Sequence, residues 1–194
     1  MTSIILPPAQ GVNDSPVVSR RGALLLSATA VALLAGRETL ADAGRHASGQ
    51  QAGDVQILNQ ALAAEFQAIA AYGVGAGSGL LTGGTLALAA TFRGHHEQHA
   101  QALDATVRKL GGKPVAALPD YHFPLATLKS STDVLRFAAG LEKQAVSAYL
   151  GAVPAFADRE LAKTAASILG DEAMHWAVLR QALGDEPVPA AFVS

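Results

Sequence analysis

The chain states nearly the same pattern twice. Glu65-Phe-Gln-Ala-Ile-Ala-Ala-Tyr72 recurs as Glu142-Lys-Gln-Ala-Val-Ser-Ala-Tyr149, 77 residues further on. Phe92-Arg-Gly-His-His-Glu-Gln-His99-Ala-Gln-Ala-Leu103 recurs as Ile168-Leu-Gly-Asp-Glu-Ala-Met-His175-Trp-Ala-Val-Leu179, at an offset of 76. A repeat of this kind constrains the architecture before any single residue is interpreted, because each unit must bury its apolar face against the other. Each unit reads as a pair of helices, the first carrying one Glu and the second an i, i+3 pair that contains His.

The residue content agrees with helices. Alanine dominates, aromatic residues make up only 5% of the 194 residues, and half the chain is hydrophobic, which suffices for one well-packed domain. A net charge of −2 leaves no clustered basic face, so nucleic acid is not an expected partner. The absence of cysteine excludes disulfides, thiolate chemistry and iron–sulfur ligation, so any metal site must be built from His and carboxylate.

Helix boundaries can be placed from caps and breakers. Asp54 is a good N-cap for a first helix whose apolar stripe is Val55, Leu58, Leu62, Phe66, Ile69 and Tyr72, and the glycine-rich stretch 73–84 ends it. A second helix is expected over about 85–110, stopped by Gly111-Gly112. Residues 112–130 contain Pro114, Pro119 and Pro124 and read as a long crossover, with His122 a loop residue within it. Ser131-Thr132-Asp133 opens a third helix that runs to the region before Pro154, and Asp158 caps a fourth that continues to Leu183 with Gly184 past its end. The result is an all-α four-helix bundle of two hairpins joined by one long crossover, over residues 54–184, with a C-terminal tail at 185–194.

The N-terminus reads as an address. Ser19-Arg20-Arg21-Gly22 precedes an apolar run from Ala23 to Ala35, and Ala41-Asp42-Ala43 has the small-x-small form of a cleavage site. The run is shorter than the roughly 20 residues a bilayer span requires. Residues 1–43 are therefore expected to be an export signal resembling the twin-arginine type, although the usual Phe is replaced by Ala23. Residues 44–53 are expected to form a flexible linker. A periplasmic or secreted location follows, with the export machinery as a partner and no stable membrane span once the signal is removed.

On a helix, residues three or four apart share a face. Glu172 and His175 are neighbours on the fourth helix, and His96 and His99 occupy the repeat-equivalent positions on the second. Glu65 and Glu142 sit in the apolar stripes of the first and third. A carboxylate in such a stripe is costly to bury unless it is paired or binds a metal, so coordination is the simplest account of Glu65, His96, His99, Glu142, Glu172 and His175 together. His95 competes with His96 for the second-helix role, whereas Glu97 should face solvent. The repeat favours His96, because Gly94, His96, His99 and Leu103 align with Gly170, Glu172, His175 and Leu179. Tyr72 and Tyr149 lie two turns beyond their glutamates, where they could bond the ligands or simply pack. Trp176 reads as packing.

This pattern resembles the ferritin-like superfamily, rubrerythrin-like domains included, whose dinuclear members use a Glu from each of two helices and Glu-x-x-His from the other two. The resemblance covers about residues 54–183 and departs at one place, where His96 stands for the second-helix Glu. It implies an iron site of one or two ions, with manganese the alternative, and oxidase or peroxidase-type chemistry, although no catalytic residue can be assigned. Because a neutral imidazole has one free lone pair, His96 cannot bridge two ions as a carboxylate does. Two other readings stand beside an oxidoreductase. One is metal binding without turnover, which would need assembly into a shell if it served storage; the other is a non-catalytic or stress-related scaffold with a degenerate site. A homo-oligomer is compatible with the sequence.

Overall fold

A computed structural model of the protein describes residues 43–193. Arg20, Arg21 and the apolar run of the expected export signal lie outside the described residues. Four long helices make up the fold: α1 (Ala43–Gly77), α2 (Gly83–Lys109), α3 (Ser131–Ala152) and α4 (Arg159–Ala182). Two 3-10 turns supplement them, Leu125–Thr127 in the crossover and Val153–Ala155 between α3 and α4. No strand occurs among the described residues, and none of the described helices is long and apolar enough to cross a membrane.

Helix ends follow local chemistry. Ser130 caps α3 by accepting from the Asp133 N–H, and Asp158 caps α4 by accepting from Glu160 and Leu161. At the other ends, Gly111 (φ 75°) and Gly184 (φ 77°) take the left-handed conformation. The Gly112 and Asp185 N–H groups then reach back to the Val107 and Arg180 carbonyls, closing Schellman motifs. Gly112 also runs close against α1, since a Cβ there would lie 2.6 Å from Val55 Cγ1.

The start of α1 departs from expectation. The helix begins at Ala43, so the segment 44–53, expected as a flexible linker, is helical. Asp54 is buried inside α1 and caps nothing on its own helix; its two carboxylate oxygens accept the N–H groups of Ala157 and Asp158 at 2.8 and 3.1 Å. The same short acidic side chain that suits an N-cap here serves the backbone just before α4 instead. A local signal was met by a tertiary partner.

The hairpins α1–α2 and α3–α4 pack through two apolar clusters, each drawing on all four helices. One contains Tyr72, Leu81, Ala89, Phe92, Val134, Leu135, Ala138, Ala139 and Leu179. The other contains Leu58, Leu62, Ala100, Leu103, Val107, Tyr149, Ala165 and Ile168. Between these sequence positions on every helix lie the buried polar residues Glu65, His96, Glu142, Glu172 and His175. Along its axis the bundle is therefore apolar, polar, then apolar again. The crossover is pinned to α1 by Asn59, whose amide donates to the Lys113 carbonyl and accepts from the Val115 N–H.

Candidate metal centre

All six residues expected from the repeat converge. Each extends a helical face that is otherwise core: Glu65 lies three residues after Leu62, His96 four after Phe92, Glu142 four before Val146, and Glu172 four after Ile168. Their ligand atoms form two overlapping groups, Glu65–His96–His99–Glu172 and His96–Glu142–Glu172–His175, within each of which the atoms lie within 4.8 Å of one another. His96 and Glu172 belong to both.

His96 sits between the two outer glutamates. Its Nδ1 is 2.8 Å from Glu65 Oε2 and its Nε2 is 3.3 Å from Glu142 Oε1. The tyrosines complete the arrangement by crossing. Tyr149 donates to Glu65 Oε1 at 2.5 Å, and Tyr72 donates to Glu142 Oε1. A continuous chain, Tyr149–Glu65–His96–Glu142–Tyr72, thus runs through the polar layer, and each tyrosine serves the glutamate of the other hairpin.

Beside that chain four buried atoms have no hydrogen-bond partner: Nδ1 of His99, Nδ1 of His175, and both carboxylate oxygens of Glu172. They are not far apart. His99 Nδ1 is 3.1 Å from Glu172 Oε1, and His175 Nδ1 is 3.5 Å from Glu172 Oε2. These pairs are close without being aligned as hydrogen bonds, which is how donors sit when they face a common point. Buried polar atoms are seldom left unpaired, and a cation is one of the partners that would satisfy them. The residues present fit an ion bound by imidazole and carboxylate, as iron and manganese sites are.

Protein groups alone leave the centre electrostatically tense. Burial favours the neutral form of each imidazole, but the glutamates outweigh it. His96 is raised to about 10 by its bonds to Glu142 and Glu65, and His99 and His175 to about 9 by Glu172 with Glu65 and Glu142 respectively. Burial also pushes the carboxyls up, yet the imidazoles hold Glu65 and Glu142 below the usual range. Glu172 alone ends above it, because burial and the nearby Glu142 outweigh the imidazoles of His175, His99 and His96. Burial, then their glutamate partners, raise Tyr72 and Tyr149 and keep both hydroxyls protonated as donors.

A second layer lies outside this one. His95 is not part of the buried set: its Nδ1 is 3.1 Å from Asp171 Oδ2 and 2.9 Å from His175 Nε2. Asp171 Oδ2 is also 3.2 Å from His175 Nε2 and 3.4 Å from His99 Nε2. One carboxylate oxygen therefore faces three imidazoles, and it touches the outward nitrogen of two rings whose inward nitrogens face Glu172. Phe92 stacks on His175 with ring centres 3.9 Å apart and fixes its plane. Sequence reasoning missed Asp171, although the repeat places it opposite His95, one residue before Glu172 as His95 is before His96. Glu97 points outward, paired with Arg93 at 2.9 Å. His122 is exposed in the crossover, and Trp176 packs on the first apolar cluster with Arg180 over its ring.

Known proteins place the fold. No curated protein matches the chain at a significant level. Among solved structures, a conserved hypothetical protein from Mycobacterium tuberculosis superposes with a TM-score of 0.64 at 24% identity, covering 74% of this chain and 99% of that one. A structure described as ferritin-like, diiron-carboxylate proteins from Bacillus anthracis superposes with a TM-score of 0.59 at 20% identity, covering 69% and 97%. At these identities the likeness is one of fold. The profile of the family described as a ferritin-like domain matches residues 53–185, a span that holds Asp54, both repeat units and every residue of the cluster. The chain belongs to the ferritin-like domain family.

Proposed function

We propose that this protein is an exported metalloprotein that binds iron, or manganese in its place, through Glu65, His96, His99, Glu142, Glu172 and His175, and that it performs oxidase or peroxidase-type redox chemistry there. The observation that carries this reading is the set of four unpartnered buried atoms around Glu172. Two imidazole nitrogens and two carboxylate oxygens without partners are expensive in a bundle core and become ligands at no further conformational cost.

A bound iron or manganese ion would supply the electron-transfer couple for dioxygen or peroxide. The protein groups supply the rest. Glu172 faces His99 with one oxygen and His175 with the other, so it is the carboxylate able to serve both half-sites. Glu65 and Glu142 neutralise charge from either side while Tyr149 and Tyr72 hold their orientation. Asp171 Oδ2 lies 3.4 and 3.2 Å from the outward nitrogens of His99 and His175, an anionic neighbour that favours the proton there and leaves their Nδ1 lone pairs for the centre. Export is supported by the Arg20-Arg21 signal pattern, since a twin-arginine route carries folded, cofactor-loaded proteins.

A second reading is favoured by His96. Its bonds to Glu65 and Glu142 satisfy part of the cluster from within, as a scaffold with a degenerate site would. Metal analysis of protein isolated from its native compartment separates the two. One or two ions per chain, lost in Glu172→Ala or His175→Ala, supports a metalloprotein; no bound metal supports the scaffold. Fe(II)-loaded protein that consumes dioxygen or hydrogen peroxide no faster than free iron would eliminate the redox assignment and leave metal binding alone.

A further inference from the structure

Exposure around the centre rises in one direction. The side chains of Glu172 and His175 are 0% and 2% exposed, His99 is 14%, Asp171 is 22% and His95 is 39%. The apolar clusters occupy the helix segments on either side of the polar layer, so the polar way out to solvent is sideways, past the facing residues of α2 and α4. At its outer end stands a group with metal-ligand chemistry of its own: His95, Asp171 and His175, whose ligand atoms lie within 4.8 Å of one another.

We propose that His95, Asp171 and the Nε2 edge of His175 form an outer site that first captures a divalent transition-metal ion and hands it, through the His175 ring, to the buried centre. The proposal rests on the reading of the buried cluster as a metal centre. His95 Nδ1 and His175 Nε2 are 2.9 Å apart, and Asp171 Oδ2 is 3.1 and 3.2 Å from them. Two imidazole nitrogens with one carboxylate oxygen suit iron, manganese, cobalt or zinc better than calcium or magnesium, which prefer oxygen alone.

The shared ring makes the outer site a place of passage. A neutral imidazole carries one proton and one free lone pair. When Nε2 of His175 holds an ion, its proton is on Nδ1, facing Glu172 and Glu142; when Nδ1 faces an ion in the buried centre, the proton is on Nε2, 2.9 Å from the accepting Nδ1 of His95 and 3.2 Å from Asp171. One ring therefore serves the outer or the inner position, never both as a neutral group. His99 is built alike, with Nε2 toward Asp171 and Nδ1 toward Glu172. Filling the centre converts the outer site into the hydrogen-bonding support of the inner ligands, and capture is switched off by delivery.

The test uses the full chain, freed of metal, with Co(II) as the probe. Its visible absorption is followed by stopped flow, and the ions retained per chain are counted after desalting. His95→Ala should load severalfold more slowly than wild type and reach the same final number of ions, while Glu97→Gln, on the neighbouring exposed position, should load at the wild-type rate. Equal rates for wild type and His95→Ala would overturn the proposal while leaving the buried centre intact. A lower final number in His95→Ala would overturn it too, by making His95 a ligand of the centre, and an equal slowing in Glu97→Gln would reduce the effect to general charge. Wild-type protein that takes up no Co(II) would remove the buried centre and this proposal together. Circular dichroism checks that each variant is folded; His95→Gln replaces His95→Ala if the latter is not.

Discussion

Glu172 carries the greatest tension of any single residue here. It is fully buried, both its oxygens lack hydrogen-bond partners, and its carboxyl is shifted upward by burial and by Glu142. A neutral isostere would remove that strain together with the ligand. Glu172→Gln is expected to raise the stability of the metal-free protein by about 1 kcal/mol, roughly 2–4 °C in Tm, and to abolish the stabilisation that added Fe(II) or Mn(II) gives the wild type. Thermal melts with and without metal read both effects. A metal-free melt that falls instead would mean that the ionised carboxylate is stabilised by His99 and His175 more than burial opposes it. The residue scale also shows where sequence could and could not lead. The repeat located all six clustered positions, five of them buried and His99 half-buried, and preferred His96 over His95, because alignment depends only on register. It could not show that Tyr72, two turns from Glu65 on its own helix, would bond Glu142 on another, since that contact exists only once the hairpins are docked.

Among the helices, the ends written in glycine were legible and the end written in Asp54 was not. Gly111 and Gly184 stop α2 and α4 where expected because a left-handed residue ends a helix whatever surrounds it. An acidic residue ahead of an apolar stripe is ambiguous: its oxygens can take N–H groups from its own helix or from any segment that comes near. In this fold the segment before α4 comes near, and Asp54 clamps it to α1. Replacing Asp54 with Ala strands two backbone donors that water can only partly reach, at a cost of about 1–2 kcal/mol. The expected signature is regional. Hydrogen exchange at Ala157 and Asp158 should accelerate together with the first turn of α4, while amides near Leu179 keep their protection; uniform acceleration would show that the clamp supports the whole bundle rather than one helix start.

Across the whole molecule, protonation, metal and folding are linked. His96 titrates near 10 and His99 and His175 near 9 in the folded chain, all above the ordinary imidazole value of 6.5. A raised folded pKa contributes stability that is complete below the unfolded value and is lost as pH climbs through the folded one. The depressed Glu65 and Glu142 contribute the opposite way, present above 4.5 and lost as pH falls. Metal-free protein should therefore be most stable at about pH 5–6.5 and should melt at progressively lower temperature between about pH 7 and 10. Saturating Mn(II) should flatten or reverse that slope, since deprotonated imidazoles are the form that binds. Calorimetric titration near pH 7.5 in buffers of different ionisation enthalpy should then detect protons released as the ion binds, and binding with no proton release would place the ion away from these three rings.

The crossed tyrosines bear on how such a chain could arise. Tyr72 reaches Glu142 and Tyr149 reaches Glu65, the reciprocal contact that two identical subunits make about a two-fold axis. A single ancestral hairpin pairing with its own copy would have formed the same two bonds between separate polypeptides. Fusion of two such copies through the crossover would keep that latch within one molecule and free each half to change, and the two halves do differ where His95 faces Asp171 and where His96 stands opposite Glu172.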